Sequence, residues 1–250
     1  QKIFSRKKNI PLACSMTLEN EDGHIHTGAC FIDIQPLSVV ELFRSQGCAS
    51  CPPALPNIRS ATMDDHNVLL LTYDVTYFDN EGWTDTFGNR QWDQRQRAYV
   101  SNWGRNNVFT PQIIVDGIAD GTGAAKDEVH SIVHAARQVR GSMQWRIIVD
   151  TNETEIRVDS DLPQAEMPHD ILLIMYAPAK ETVKVKKGAN KGKKIDHYNT
   201  VKSITKIGEW MGGNLTVPLP EGAQKPHGGL EIVAVVQAGM GGPILASQKL

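Results

Sequence analysis

Two cysteines three residues apart, Cys48 and Cys51, constrain this 250-residue chain more than any other feature. They follow an apolar run rich in β-branched residues, Val39-Val40-Glu41-Leu42-Phe43, which ends at Gly47. Pro52 and Pro53 come next, and proline suits the first turn of a helix because its missing N–H has no intrahelical partner there. A C-x-x-C between a strand and a helix start is the context in which two thiols act as a redox pair. Cys48 is then expected at the exposed edge of the loop, where unpaired helix N–H groups and the macrodipole favour thiolate. Cys51, one turn on, resolves the mixed disulfide. Arg44 also favours thiolate if it folds back. The alternatives are half of a zinc site or an inert pair. A four-cysteine zinc site needs a second pair, and Cys14 and Cys30 are too far apart in sequence to form one. Cys14, His24, His26 and Cys30 are soft-metal ligand types in a spacing that fits no recognised finger, so no metal is expected.

Up to about Arg140 the chain reads as strands alternating with helices. Val68 to Val75 is a second apolar strand. From Asn89 to Trp103 the large side chains Trp92, Tyr99 and Trp103 fall at helical spacing, with Asn89 as N-cap and Gly104 as stop. Ile113-Ile114-Val115 is a strand running into Asp116-Gly117. Val129, Ile132, Val133 and Ala136 then share one helical face that ends at Gly141. Beyond it come short strand-like runs: Trp145 to Asp150, Glu155 to Asp159, Ile171 to Tyr176, Val183 to Lys187, Leu215 to Leu219 and Leu230 to Gln237. Gly, Pro and Asn clusters separate them, a pattern that predicts an antiparallel sandwich or partial barrel. The expected division is an extension over 1–37, an α/β domain over 38–141 and a β-rich domain over 142–250.

Further residues belong with the cysteine pair. In thioredoxin-like folds a cis-proline loop stands before a central strand and faces the dithiol, its backbone pairing with substrate. Thr110-Pro111 holds that place before Ile113. Glu41 is an acid inside an apolar strand, either at a sheet edge or buried with a raised pKa. Dithiol chemistry needs a proton carrier for the resolving cysteine, and a buried Glu41 can serve. Asp74, at the end of the second strand, is the runner-up. The cleft between the cysteine loop, Pro111 and the aromatic insert offers Arg44, Tyr77 and Trp83 as substrate contacts, core packing being the plainer reading of the aromatic residues.

The motifs Val39-Val40-Glu41-Leu42-Phe43, Ser45-Gln46-Gly47-Cys48-Ala49-Ser50-Cys51-Pro52-Pro53, Asp79-x-x-Gly82-Trp83-x-Asp85, Gln94-Arg95-Gln96-Arg97-Ala98-Tyr99 and Phe109-Thr110-Pro111-Gln112-x-x-Val115-Asp116-Gly117 together resemble the DUF1223 family. The resemblance covers roughly residues 38 to 250, and Gly188-x-Asn190-x-Gly192 and Tyr198-x-x-Val201 extend it into the second half. It implies an α/β thioredoxin-like domain with a helical insert, followed by a C-terminal antiparallel β-sandwich-like domain, and it implies little about activity. The chain departs from the family at three places. Asp74 and Thr76 stand where members often carry a His and an Asp, Arg44 replaces a small polar residue, and Pro56 interrupts the helix after the cysteines.

Composition excludes several function classes. Twenty-six basic against 28 acidic residues leave a net charge of −2, which gives no case for nucleic acid or an anionic membrane. The longest apolar run, Ile171 to Ala177, is far short of the ~20 residues of a membrane helix. Lys2, Arg6, Lys7 and Lys8 precede too short an apolar stretch for a secretory leader, so the cytoplasm is the expected location. The sequons at Asn152 and Asn214 matter only after secretion. Gly239-Met240-Gly241-Gly242 leaves no room for the helix that a dinucleotide loop requires. The lysine-rich stretch from Lys180 to Lys206 either attracts an anionic ligand or is a solvated hairpin whose lysines discourage edge pairing. The leading expectation is a thiol–disulfide oxidoreductase without a cofactor, acting on a protein or small-molecule thiol or disulfide. The alternatives are a small-molecule enzyme of another reaction class on the same scaffold, or a non-catalytic binding module.

Overall fold

The computed structural model describes residues 36–250 in full and the backbone of residues 13–19 and 25–31. The elements run β1 (Ala13–Glu19), β2 (Ile25–Phe31), β3 (Ser38–Arg44), α1 (Cys51–Met63), β4 (Val68–Asp74), α2 (Arg90–Asn102), β5 (Gln112–Val115), β6 (Ala119–Gly121) and α3 (Lys126–Gly141). There follow β7 (Ile147–Thr151), β8 (Glu155–Ser160), β9 (His169–Ala177), β10 (Glu181–Lys184), β11 (Lys194–His197) and β12 (Thr200–Trp210). The chain closes with β13 (Leu215–Pro218), the short α4 (Glu221–Gln224), β14 (Glu231–Gln237) and β15 (Ile244–Lys249).

One eight-stranded mixed sheet, ordered β15-β14-β9-β12-β4-β3-β5-β6, runs through the molecule. Its β3–β4 and β4–β12 pairs are parallel and the rest antiparallel. The boundary expected at Gly141 falls at the end of α3, and the sheet continues across it: β12, from the second half, lies beside β4. Side chains alternate between faces along each strand, and this sorts the core into three bodies. Val39, Phe43, Leu71 and Tyr73 point to one face, where Trp92 and Tyr99 of α2 cover them together with Ile174 and Val235. Val40, Leu42, Leu70 and Ile113 point to the other, under Ile58 of α1 and Val133 of α3. Farther along the β9–β14 half, the three-stranded sheet β13-β8-β7 lies over Ile171, Leu173, Ala234 and Val236. The second half thus adds small antiparallel sheets, and its strands β9, β12, β14 and β15 extend the mixed α/β sheet rather than forming a sheet of their own.

Local chemistry explains the helices. Asn89 caps α2 as expected, its Oδ1 accepting the Gln91 N–H at 2.9 Å. Pro56 does not break α1, which continues to Met63. The lost bond lies in the first turns, and burial of Leu55, Ile58 and Ala61 outweighs it. The sequence reading misses β12, the longest strand, because half-exposed polar and charged residues fill it and two register shifts interrupt its pairing with β9. It also misses β1, β2, β6, β11 and β15. Of the residues weighed as soft-metal ligands, His24 lies outside the described residues, as do the basic residues Lys2, Arg6, Lys7 and Lys8. Cys14 and Cys30 are register partners in the β1–β2 pair.

Candidate active site

Strand β3 ends at Arg44, and a tight loop carries the chain to α1. Cys48 N–H donates to the Ser45 carbonyl (3.2 Å) and Cys51 N–H to the Cys48 carbonyl (3.3 Å). Cys48 and Cys51 are joined by a disulfide, their Cα atoms 5.4 Å apart. Ser50, the residue before α1, makes no cap bond with its side chain. Its Oγ instead donates to the Thr110 carbonyl at 3.2 Å and lies 3.4 Å from Cys48 Sγ. That contact ties the cysteine loop to the Thr110–Pro111 loop, whose peptide bond is cis. Gln96 of α2 holds the same loop from behind, its Nε2 donating to the Phe109 carbonyl and to Gln112 Oε1 at 2.9 and 2.8 Å.

Two expectations about the cysteines change. Cys48 is not the exposed member: both residues are 2 % exposed, while Ala49 and Ser50 between them face solvent. The helix end is also poorer in N–H groups than an ordinary one. Pro52 and Pro53 have none, and the Cys51 N–H is already engaged. The charge at a helix N-terminus resides in those free N–H groups, so α1 offers a Cys48 thiolate less support than the spacing alone implies.

The second half of the chain closes over the loop. Asn190, fully buried at the tip between β10 and β11, donates from Nδ2 to the carbonyls of Gln46 (2.9 Å) and Cys48 (2.8 Å). Gly188 and Gly192, with φ of 80° and 85°, turn the tip on either side of it. A Cβ at Gly188 would stand 3.3 Å from the Glu81 carbonyl, so the tip also abuts the insert. Sequence reasoning missed Asn190 as a site residue. The available signal was an Asn between two glycines in a segment otherwise made of lysine.

Gln46 is the hub beneath the loop. Its Oε1 accepts from Trp83 Nε1 and the Thr86 N–H, both at 3.0 Å, and its Nε2 lies 3.3 Å from His197 Nε2. Behind it sits a buried ionic cluster at the C-terminal ends of β3 and β4. Arg44 and Asp74 are register partners there, on the face that α1 covers. Asp85 reaches the cluster from the insert, its carboxylate accepting the N–H groups of Gln46 (2.8 Å) and Phe87 (2.9 Å). His197 Nε2 lies 3.1 Å from Asp74 Oδ2, and its Nδ1 lies 3.2 Å from the Glu181 carbonyl. The Glu181 carbonyl only accepts, so Nδ1 donates to it, while Nε2 stands between an acceptor, Asp74 Oδ2, and a donor, Gln46 Nε2. Burial and the adjacent Asp74 carboxylate push Asp85 up to about 8. Burial alone would raise Asp74 too, but the His197 hydrogen bond and the Arg44 charge outweigh it and hold this carboxyl below its ordinary value. The pair thus keeps one proton, carried on Asp85.

The other expected residues lie as follows. Arg44 is 1 % exposed, and its Nη1 donates to the Asp196 carbonyl at 3.1 Å. The structure therefore does not offer it to substrate as the sequence reading expected. Glu41 is buried too, on the opposite face of β3 from α1, beside Val39 and Phe43. Arg95 grips it with two bonds of 2.7 and 3.2 Å, and Tyr99 donates its hydroxyl to Oε1. It is not gathered with the cysteines and Asp74. Tyr77 and Trp83 are half-buried at the rim. Burial raises the Tyr77 phenol to about 12, and its hydroxyl donates to Gln96 Oε1 at 3.1 Å. Among the described residues no three His, Cys, Asp or Glu side chains converge as metal ligands.

The profile of the family described as "Protein of unknown function (DUF1223)" matches residues 39–237, which include the cysteine loop, the cis-proline loop and the Asn190 hairpin. The chain belongs to the DUF1223 family. Among solved structures it is similar to protein AGR_C_4864 from Agrobacterium tumefaciens, with 27 % identity over 87 % of this chain and 95 % of that one, and a TM-score of 0.66. It also shares its fold with HBP35 of Porphyromonas gingivalis, at 12 % identity, 87 % of this chain, 76 % of that one and a TM-score of 0.52. No curated protein matches this DUF1223 chain.

Proposed function

We propose that this DUF1223 protein is a thioredoxin-like thiol–disulfide oxidoreductase whose working pair is Cys48–Cys51. The observation that carries the reading is the disulfide at the start of α1, tied through Ser50 to a cis-proline loop that precedes a central strand. A substrate thiolate attacks Cys48 Sγ, the Cys48–Cys51 bond breaks, and Cys51 leaves as thiolate and takes a proton. The second substrate thiol, giving up its proton, attacks the substrate sulfur of the mixed disulfide and releases Cys48. Two electrons and two protons pass from a substrate dithiol to the pair, and the reverse steps reduce a substrate disulfide. Thr110 and Pro111 offer the backbone edge against which substrate lies, and Tyr77 and Trp83 form its rim. The Asp74–Asp85 pair, rather than Glu41, is the proton holder that serves Cys51: Asp74 lies on the α1 face, and the proton the pair keeps is carried on Asp85.

The near-complete burial of both cysteines favours a second reading, in which the disulfide is a structural clasp on a binding module. Trapping separates the two. Cys51→Ser should accumulate mixed disulfides with a model dithiol peptide and Cys48→Ser should not. Equal trapping by both variants, or by neither, would remove the oxidoreductase reading. Among the described residues no helix is long and apolar enough to cross a membrane.

A further inference from the structure

The β10–β11 hairpin has a composition that stability alone does not explain. From Lys180 to His197 it carries seven lysines against two acids, Glu181 and Asp196, in a chain of net charge −2. Lys184 and Lys194 are direct register partners, and like charges opposite one another in an antiparallel pair are destabilising. Glu181 pairs with Lys202, outside the hairpin. Among the described residues no ion pair engages Lys184, Lys186, Lys187, Lys191, Lys193 or Lys194, all of them exposed. Protection of a strand edge accounts for Lys184 and Lys194. It does not account for the other four, which lie between the two strands, where there is no edge to guard. Asn190, in their midst, is bonded to the Cys48 carbonyl. The uncompensated charge is therefore fastened to the backbone of the proposed nucleophile rather than spread over a free surface. On the facing loop stand Asp79, whose carboxylate accepts the Asp85 N–H at 3.0 Å, and exposed Glu81.

Resting on the oxidoreductase reading, we propose that the hairpin is a docking surface for an acidic polypeptide, and that the pair's substrate is a thiol or disulfide flanked by carboxylates. Uncompensated charge beside a reacting group raises encounter rates with oppositely charged partners by about ten-fold or more at low salt. Screening removes the gain once the Debye length falls to a few ångströms, at about 1 M salt.

The test uses the whole oxidised protein and three synthetic dithiol peptides that differ only in flanking residues: four glutamates, four glutamines or four lysines. Freed protein thiols are alkylated and counted against time. The expected order at low salt is glutamate over glutamine over lysine, with about ten-fold or more between the extremes, collapsing to within two-fold at about 1 M salt. The variant Lys186→Glu/Lys187→Glu/Lys191→Glu/Lys193→Glu should reverse that order. Three peptides reacting within two-fold of one another at low salt would overturn the acidic-substrate proposal and leave the oxidoreductase reading standing. Failure of all three peptides, and of dithiothreitol, to reduce the folded protein would overturn both.

Discussion

Two buried carboxylate clusters lie on opposite faces of β3 and β4, and they differ in how their charge is settled. Around Glu41 the account is closed. Arg95 grips both carboxylate oxygens, Tyr99 adds its hydroxyl, and Gln237 of β14 accepts from Arg95 at 3.0 Å. Around Asp74 it is open. Two carboxylates, a histidine and an arginine crowd together, and Asp74 Oδ1 and the Arg44 Nε and Nη2 atoms lack hydrogen-bond partners. A saturated ion pair joins α2, β3 and β14 into one core. A crowded one, with more acids than settled partners, pushes one of its carboxyls, Asp85, up to about 8. The comparison teaches that burial does not make an acid a proton carrier. What matters is whether a matched cation already claims it.

The largest effect is expected on the closed side. Glu41→Gln leaves the Arg95 guanidinium buried without its anion, and should lower unfolding stability by about 3–5 kcal/mol in denaturant titrations. A loss under about 1 kcal/mol would show that Arg95 finds another partner. On the open side the signature is pH dependence. Asp85 titrates at about 8 in the folded protein against roughly 4 unfolded. Below pH ~4 it is protonated in both states; above that the unfolded chain sheds the proton first, so stability falls as pH rises toward 8. The slope is on the order of 1 kcal/mol per pH unit. Asp85→Asn should flatten the stability curve between pH 5 and pH 8, whatever its baseline, and an unchanged slope would place the shared proton elsewhere.

Asn190 links the open cluster's roof to the cysteines. Asn190→Ala frees two buried carbonyls and should cost about 1–3 kcal/mol, with faster alkylation of reduced Cys48 as the loop loosens. The smallest effect concerns the helix end. Pro53→Ala restores one N–H and should lower the Cys48 thiol pKa by a few tenths of a unit, read from thiolate ultraviolet absorbance. A rise would mean that the helix end does not face the sulfur.

Much of this was legible from local signals. The strands β3, β4 and β5, the Asn89 cap and the cis-proline position each rest on residues close in sequence to the feature they specify. The Asp74 cluster was not legible as a unit, because His197, at the end of β11, lies 123 residues from Asp74 and is set beside it where the next strand, β12, pairs with β4, and the polar pattern of β12 hides that strand. Glu41 was legible as an acid either buried or at a sheet edge, but not as a paired one, since Arg95 sits on a helix whose packing side emerges only once the sheet has formed. The apparent dinucleotide loop has a structural purpose that proximity explains: Gly241, with φ of 76°, presses against Ala98 of α2, where a Cβ would meet backbone at 2.4 Å.

The most direct test of the central claim is the equilibrium reduction potential of the Cys48–Cys51 pair, measured against glutathione or dithiothreitol redox buffers in the folded protein. An exchange pair should fall between about −120 and −270 mV, where thiol–disulfide oxidoreductases operate. A potential below about −300 mV, the range of structural disulfides, would contradict the account and make the bond a clasp.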